Sequence, residues 1–329
     1  MKAFRIGFIL SILALVCFLF ACAEVTPTVA PAKKTTIRIA SPFKSGIVVD
    51  AANKFKELVE KGAGGRIEVT IDAGTKAEID INKMNRAGEL EMQSNGTNFL
   101  ELYAPPYYFF TAPYVMKDFD HYMRVWNGKL GQQARADLEK NDLKYLATIY
   151  RGLRQMTTKK PVYTPADVYN LKLRLPPIPT WMAVWKAMGT DPVGVPLPEL
   201  YDSLKTGKAE SSEGDLPQID GFKLYQVQSH LIMTNHLVQT AGILIHKPFF
   251  DKLSKADQDL IVKAGKEAEE WANTKIKTDE PATLVNLQRQ GMQVIIPNAD
   301  SFRAKAKSTV DELFKTQWSV TTWAEVLAQ

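Results

Sequence analysis

The sequence predicts an α/β protein, and three observations support that prediction. The chain's first folded segment reads as a strand, an amphipathic helix and a second strand. Strand and helix patterns then continue to alternate toward the C-terminus, as α/β architecture requires. Near that end a helical pattern approaches about 40 residues, which is too long for a compact single domain and favours a helix running between two.

The N-terminal strand–helix–strand unit is clear in the apolar spacing. "TTIRIA" (35–40) alternates, "VVDAANKFKELVEK" (48–61) has helical spacing, and "GRIEVTID" (65–72) alternates again. A strand, a crossover helix and a second strand of this kind make a parallel pair.

The middle of the chain begins with "YAPPYYFFTAPYV" (103–115), which mixes prolines with aromatic residues. It is either a buried irregular connection filled by rings or a surface on which a ligand stacks. Alternation then predicts strands at 142–150 and 167–175, and "TWMAVWKAMG" (180–189) predicts a short helix that carries Trp181.

The C-terminal part contains the long helical pattern, from Ser254 to Gly291, interrupted only by Pro281. We expect a kink or a break at that proline, because its ring and missing N–H disturb the helical hydrogen bonds. "MQVII" (292–296) predicts a late strand, and a final helix follows near 301–318.

The N-terminus predicts export. Basic residues precede an uncharged apolar run, so residues 1–23 read as a signal peptide and the low-complexity residues 24–34 as a flexible leader. Two processing routes remain open, ordinary cleavage at the Ala21-Cys22-Ala23 site or lipoprotein cleavage before Cys22. Both place the protein in the periplasm, and the second would anchor it to the membrane through a lipid on Cys22.

Composition and motifs exclude several function classes. The net charge of +5 comes from 41 basic and 36 acidic residues without a basic tract, which argues against nucleic acid as a partner. Both cysteines, Cys17 and Cys22, precede the folded body, so thiol chemistry is excluded there. Phosphate-loop, hydrolase and metalloprotease motifs are missing, and the four histidines lack helical pairing. We therefore expect no enzyme, no cofactor and no metal site.

Two arginines form the candidate site. Arg174 in "LKLRLPP" falls on the strand face opposite Leu171, Leu173 and Leu175. Arg154 precedes it in "GLRQMTTKKP", with a predicted turn between them. A guanidinium pairs well with a carboxylate, so the two either hold one anion in a cleft or make ordinary surface ion pairs.

The chain closely resembles the solute-binding proteins of tripartite ATP-independent periplasmic (TRAP) transporters, of the DctP type. The matching motifs are "GLRQMTTKKPVYTPAD", "LKLRLP", "MGTDPVGVPLPELYDSLKTG", "FKLYQVQ" and "TNH", in order and at the family's spacing. The resemblance implies a two-lobed periplasmic binding protein of the Venus-flytrap type, with crossing strands and a long helix spanning both lobes. We predict lobe I from 35–151 plus 240–280, and lobe II from 152–239 plus 281–329.

The resemblance also implies functional residues. Arg174 corresponds to the principal carboxylate anchor, Arg154 to a second arginine at the site, and Glu213 to a glutamate beside them. His236, in "TNH", would contact a binding residue rather than the ligand. We also place further residues in the ligand-binding set: Trp181, Asn95 and Glu78.

The chain departs from the family at "ESSEGD" (210–215). Gly214 stands where the family has an asparagine that assists the carboxylate, so a hydrogen-bond donor is lost and room is gained. Asp215 replaces a proline. It either receives a ligand ammonium or hydroxyl group, or caps the helix that follows.

The function implied is capture of a small organic acid for the membrane subunits of a TRAP transporter, by a protein that we expect to be a monomer. The room at Gly214, Trp181 and the aromatic residues of 103–115 favour an aromatic or indole-type acid or amino acid. A sugar acid or a phosphorylated polyol is the alternative. Two other classes remain open: an exported hydrolase using Glu213 and Asp215, and a binding protein that reports to a receptor.

Overall fold

A computed structural model describes residues 34–329. The predicted signal peptide (1–23), its Cys22 and all but the last residue of the leader (24–34) therefore lie outside the described residues. In the described part no helix is long and apolar enough to cross a membrane.

The described residues form a mixed α/β structure, as predicted. Within 34–329, nine strands join one sheet. They are β1 (Thr35–Ser41), β2 (Ile67–Ala73), β3 (Met92–Gly96), β4 (Leu143–Thr158), β5 (Lys172–Leu175), β6 (Asp191–Gly194), β7 (Ser211–Asp215), β8 (His230–His246) and β9 (Gln293–Ile295).

Twelve α-helices cover the sheet in the same range. They are α1 (Ile47–Ala63), α2 (Glu78–Ala87), α3 (Asn98–Tyr103), α4 (Phe119–Asn127), α5 (Lys129–Lys140), α6 (Pro179–Ala187), α7 (Leu200–Lys205), α8 (Leu216–Gly221), α9 (Lys247–Asp251), α10 (Lys255–Arg289), α11 (Ala299–Thr316) and α12 (Trp323–Leu327).

The N-terminal unit folds as its pattern predicts. β1 and β2 pair in parallel with α1 between them in sequence. The apolar positions Val48, Ala51, Phe55 and Val59 of α1 are buried, and Gly64 ends the helix in the left-handed conformation. Glycine adopts that conformation without the steric cost that a Cβ adds.

Two long antiparallel strands, β4 and β8, form the centre of the sheet. The Ala241–Ile245 part of β8 pairs with β3, which continues to β1 and β2. The Arg154–Thr157 part of β4 pairs with β7, which continues to β5 and β6. Two groups of strands are thus joined by one pair that runs through both. The lobe boundaries stay a prediction.

β4 carries irregularities that matter for the site. Tyr150 pairs with Thr240 and Gly152 with Gln239, so Arg151 is an extra residue without a partner in β8. Such a bulge bends the strand and re-aims side chains. Gly152 has φ +109°, a conformation in which other residues are strained.

The clearest departures from the predicted elements are in β4, β5 and α10. β4 runs on to Thr158 rather than ending at 150, because its bulges hide the two-residue period from a pattern search. The strand expected at 167–175 begins only at Lys172, since a 3₁₀ helix (Pro165–Val168) with a capping box at Thr164 occupies its start. α10 continues through Pro281.

The uninterrupted course of α10 rules out a break at Pro281, which was one of the two outcomes expected there. Pro281 is exposed, and the helix packs against α1, β4 and α8. Its buried side lies mostly upstream of the proline, at Ala264, Ala268, Ala272 and Ile276. Tertiary packing of this kind supplies most helix stability and outweighs the local preference.

The aromatic segment 103–115 is largely a buried connection. Its 3₁₀ helix (Pro105–Thr111) buries Tyr107, Phe109 and Phe110. Tyr108 is also mostly buried, yet it lines the cavity described below. Core packing therefore explains most of the segment, and one ring reaches the candidate site.

Candidate functional site

A cavity of about 580 Å³ lies between the ends of these strand groups and holds four of the predicted site residues, Arg174, Arg154, Trp181 and Glu78. Its other polar lining comes from residues that sequence patterns did not select. They include Asn98, Glu101, Arg151, Gln218 and Gln239. A volume of this size suits a small-molecule ligand.

Arg174 on β5 is the most unusual of these residues, because it is only 1% exposed. Its Nε and Nη2 donate to the Val195 carbonyl at 2.9 and 2.6 Å. No acidic side chain within 34–329 lies at ion-pair distance from it. Burial lowers the pKa of Arg174 to about 10, even though Glu213 acts to raise it. Burying a cation without a carboxylate partner is costly, so the position of Arg174 at the cavity wall calls for an explanation.

Arg154 on β4, by contrast, has its charge balanced within the protein. Its Nη2 donates to Glu213 Oε1 at 2.8 Å, and its Nε donates to Oε2 of the same carboxylate. A third bond runs from Nη1 to Gln239 Oε1 at 3.0 Å. Trp181 packs its ring 5.1 Å from the Arg154 Cζ and donates Nε1 to the Thr111 carbonyl at 2.9 Å.

Glu213 is the carboxylate that pairs with Arg154, and it also contacts His236. Burial acts to raise the pKa of Glu213, but Arg154 and His236 outweigh it and lower the pKa to about 2. His236 Nε2 lies 3.1 Å from Glu213 Oε2, and burial lowers the pKa of His236. The carboxylate is therefore ionised and fully engaged by protein groups.

A second irregularity of the central strands places His236. Between the pairs Arg154–Leu237 and Met156–Ile232, β8 has four unpaired residues (233–236) and β4 has one, Gln155. The Gln155 side chain binds both the amide N–H and the side chain of Asn235. This local loop turns His236 inward against Glu213.

Four predicted ligand-binding residues, Glu213, Asn95, Gly214 and Asp215, do not line this cavity. Glu213 directs its carboxylate to Arg154 and His236. Asn95 is fully buried and bonds to Gln93, the Gly96 amide and the Glu78 carbonyl. Both residues support the wall rather than form its surface.

Gly214 is the third, and the expected room beside it is filled. A Cβ at this position would collide with the Gln218 side-chain amide. The Gln218 Nε2 donates to the Glu213 carbonyl at 3.4 Å, and the residue lines the cavity. A carboxamide from the next helix thus occupies the space that Gly214 leaves.

Asp215 faces a smaller, neighbouring cavity of about 320 Å³. Its Oδ1 accepts a 2.8 Å bond from the Gln218 backbone amide, so it caps α8, which was one of its two predicted roles. Its Oδ2 lies 3.2 Å from Arg151 Nη2.

Arg151 is one of the cavity residues that the sequence did not predict. Three positions separate it from Arg154, and in a regular strand that spacing puts two side chains on opposite faces. Because Arg151 is the bulge residue, both arginines line the same cavity. Gly152 was the available signal, since glycine inside a strand pattern often marks a bulge.

Glu78 at the start of α2 supplies a carboxyl group to the opposite wall. Burial raises the pKa of Glu78, and its Oε1 accepts one bond, from the Asn98 amide at 3.3 Å.

Among residues 34–329 no group of acidic, histidine or cysteine side chains has the geometry to hold a metal ion. The cavity combines Arg174, which has no carboxylate at ion-pair distance among the described residues, with polar side chains and with an apolar part that includes Pro176, Ile178 and Leu197.

Comparison with known proteins finds both sequence relatives and solved structures of similar fold. The family described as bacterial extracellular solute-binding protein, family 7, matches residues 43–317. The sialic acid-binding periplasmic protein of Vibrio cholerae is 28% identical over 82% of this chain and 85% of its own.

Two solved TRAP periplasmic solute-binding proteins have the same fold. The protein from Roseobacter denitrificans, with bound L-galactonate, is 26% identical with a TM-score of 0.76, covering 88% of this chain and 99% of its own. The protein from Polaromonas, bound to D-erythronate, is 26% identical with a TM-score of 0.81, covering 90% and 99%. The two-lobed α/β prediction is thereby confirmed.

Proposed function

Because the chain belongs to family 7 of the bacterial extracellular solute-binding proteins and is the solute-binding component of a TRAP transporter, we propose that it captures a sugar acid through Arg174. The family binds small organic acids in the periplasm and works with membrane subunits. Transport rather than catalysis is the family's role.

The observation that carries the proposal is the unequal pairing of the three arginines in the cavity. Arg154 pairs with Glu213 and Arg151 with Asp215, whereas Arg174 has no carboxylate partner among residues 34–329. One carboxylate from a ligand would balance that charge. In a site shielded from water such a pair is stronger than at a surface.

The cavity wall favours a sugar acid over the aromatic acid that the sequence suggested. Gln218 fills the room expected at Gly214, and the Arg154 guanidinium covers a face of Trp181. Asn98 and Gln239 add further hydrogen-bonding groups. Hydroxyl groups match such a wall because each one both donates and accepts. The ligands bound by the Roseobacter and Polaromonas relatives are sugar acids, which supports the same choice.

Isothermal titration calorimetry with a panel of acids tests the proposal. We expect L-galactonate or another sugar acid to bind the purified residues 34–329, with indole-3-acetate and phenylacetate weak or silent. Mass spectrometry of the small molecule that co-purifies with the protein gives an independent identification. Tight binding of an aromatic acid together with silence toward every sugar acid would contradict the proposed ligand class.

The geometry gives little support to a hydrolase that uses Glu213 and Asp215. The Glu213 carboxylate is held by Arg154 and His236, and Asp215 faces the other cavity. The two groups therefore do not flank one reaction centre, as an acid–base pair must. Recovery of an unchanged nitrophenyl glycoside, which carries a hydrolysable bond, is the expected result after prolonged incubation.

A further inference from the structure

The smaller cavity adjoins the Arg174 cavity and shares four lining residues with it. Phe43, Arg151, Leu197 and Gln218 line both spaces. The remainder of the smaller cavity is formed by the start of α1 and the two residues before it, by Asp215, by α8 with Phe222 after it, and by Ile276 of α10. A ligand that extends past Arg151 and Gln218 would enter it.

Asp215 has an unused acceptor in this second cavity. The residue is 2% exposed, and only its Oδ1 accepts a hydrogen bond, from the Gln218 amide. Oδ2 is near Arg151 Nη2 at 3.2 Å, but the two are not aligned as a hydrogen bond, and Oδ2 has no other partner among residues 34–329. A buried carboxylate oxygen in this position is costly unless a donor reaches it.

The donors around the second cavity are also only partly used. Arg151 packs its guanidinium 4.7 Å from the Phe43 ring centre and makes no hydrogen bond within the described residues. α1, 17 residues long, begins at this cavity with Gly46 as its N-cap and without a side-chain cap. The first N–H groups of an uncapped helix seek acceptors.

The charges decide which chemistry this cavity suits. Asp215 and Arg151 offset each other, so a second carboxylate would gain Arg151 but be repelled by Asp215. A hydroxyl group carries no charge and can donate to Asp215 Oδ2 while accepting from Arg151 or Gln218. The mixture of donors and acceptors therefore fits a chain of hydroxyl groups better than a second anion.

We propose that the second cavity binds the hydroxyl-bearing tail of a sugar acid whose carboxylate pairs with Arg174, and that Asp215 selects an uncharged tail. This inference rests on the proposed function, because it assumes the same ligand class in the same site. It adds a requirement for tail length and for tail charge.

The test compares three acids on the wild type and on Asp215→Asn by calorimetry: L-galactonate with a long hydroxylated tail, D-glycerate with a short one, and galactarate with a second carboxylate. Asparagine keeps the cap of α8, since its side-chain oxygen accepts as aspartate does. We expect the variant to bind L-galactonate about tenfold more weakly, as for loss of a hydrogen bond to a charged group, with D-glycerate changed less than about twofold. Galactarate should bind the variant better than it binds the wild type.

Asp118→Asn is the matched control, because Asp118 caps α4 through the His121 amide and lies outside both cavities. It should leave all three affinities unchanged. Equal losses for L-galactonate and D-glycerate in Asp215→Asn, or wild-type binding that ignores tail length, would overturn the second cavity's role alone. Silence of the wild type toward every sugar acid would overturn both this inference and the proposed function.

Discussion

At the scale of single residues, the cavity is defined by how its cations are paired. Arg154 and Arg151 have carboxylate partners from β7, whereas the Arg174 guanidinium, in the described part of the chain, bonds only to the Val195 carbonyl. Burying a cation without a counter-charge lowers the stability of the folded protein. The same burial lowers the pKa of Arg174. The burial of Arg174 therefore lowers the stability of the protein while no anion is bound.

Replacing Arg174 with methionine should separate stability from binding. Since the pKa of Arg174 is lowered to about 10, the cost of its charge is present in full at pH 7 and is relieved only as the pH rises through about 10. We expect Arg174→Met to be no less stable than the wild type in urea at pH 7, and to lose about 2 to 5 kcal/mol of binding free energy for the sugar acid.

Arg66→Met is the control for that experiment, because Arg66 makes an exposed ion pair with Asp257. It should leave ligand binding intact and change stability little. Near-native affinity in Arg174→Met would remove Arg174 from the anion site.

Glu213 should make the protein sensitive to acid. Its folded pKa of about 2 lies below the unfolded value, so its contribution is present above the unfolded pKa and is lost as the pH falls toward 2. His236, whose pKa burial lowers, also disfavours folding once it must be protonated. We expect Glu213→Gln to lose about 3 to 5 kcal/mol at neutral pH, because Arg154 is left buried without a partner.

Urea denaturation at pH 7 and at steps between pH 5 and pH 3 measures this effect. The difference between wild type and Glu213→Gln should shrink as the pH falls. Glu199→Gln, which changes an exposed ion pair with Lys208, should follow the wild type at every pH. A constant difference across this range would contradict the role given to Glu213.

At the scale of elements, regular periodicity was predictable and its exceptions were not. The β1–α1–β2 unit and the face of Arg174 follow from spacing alone, and the family motifs located Arg154, Glu213 and His236. Arg151 and Gln218 escaped both, because one depends on a bulge and the other on a side chain from α8 filling the space beside Gly214. Neither the bulge nor the position of the Gln218 side chain produces a periodic pattern of apolar residues in the sequence.

α10 offers a direct test of how packing overrides a local preference. Pro281 lies inside this helix and is exposed, so it costs a hydrogen bond without contributing to the core. We expect Pro281→Ala to stabilise the protein by about 1 to 3 kcal/mol in urea denaturation. Pro161→Ala, an exposed proline outside the helices and strands, is the matched control and should change stability far less. An unchanged or lower midpoint for Pro281→Ala would show that the helix needs its proline.

At the scale of the whole molecule, β4 and β8 join the two groups of strands, and the cavity lies where those groups meet. The predicted lobes divide at 151/152 and 239/240, beside the bulge at Arg151. A ligand that pairs with Arg174 and contacts Glu78 would bind both sides at once, which favours closure.

Small-angle X-ray scattering with and without L-galactonate measures closure. We expect the radius of gyration of residues 34–329 to decrease on saturation with the sugar acid. Arg174→Met at the same ligand concentration should show no decrease. Scattering curves of the wild type that superimpose would indicate that binding needs no change of overall shape.

The bulge in β4 has a consequence for how such a site arises. Tyr150 and Gly152 pair with consecutive residues of β8, so Arg151 stands outside the pairing register. Insertion or deletion of the codon for Arg151 would therefore leave every other residue of β4 opposite its present partner in β8. A lineage can therefore acquire or discard this arginine, and the contact it makes with Asp215, in a single event that leaves the remaining strand pairs as they are.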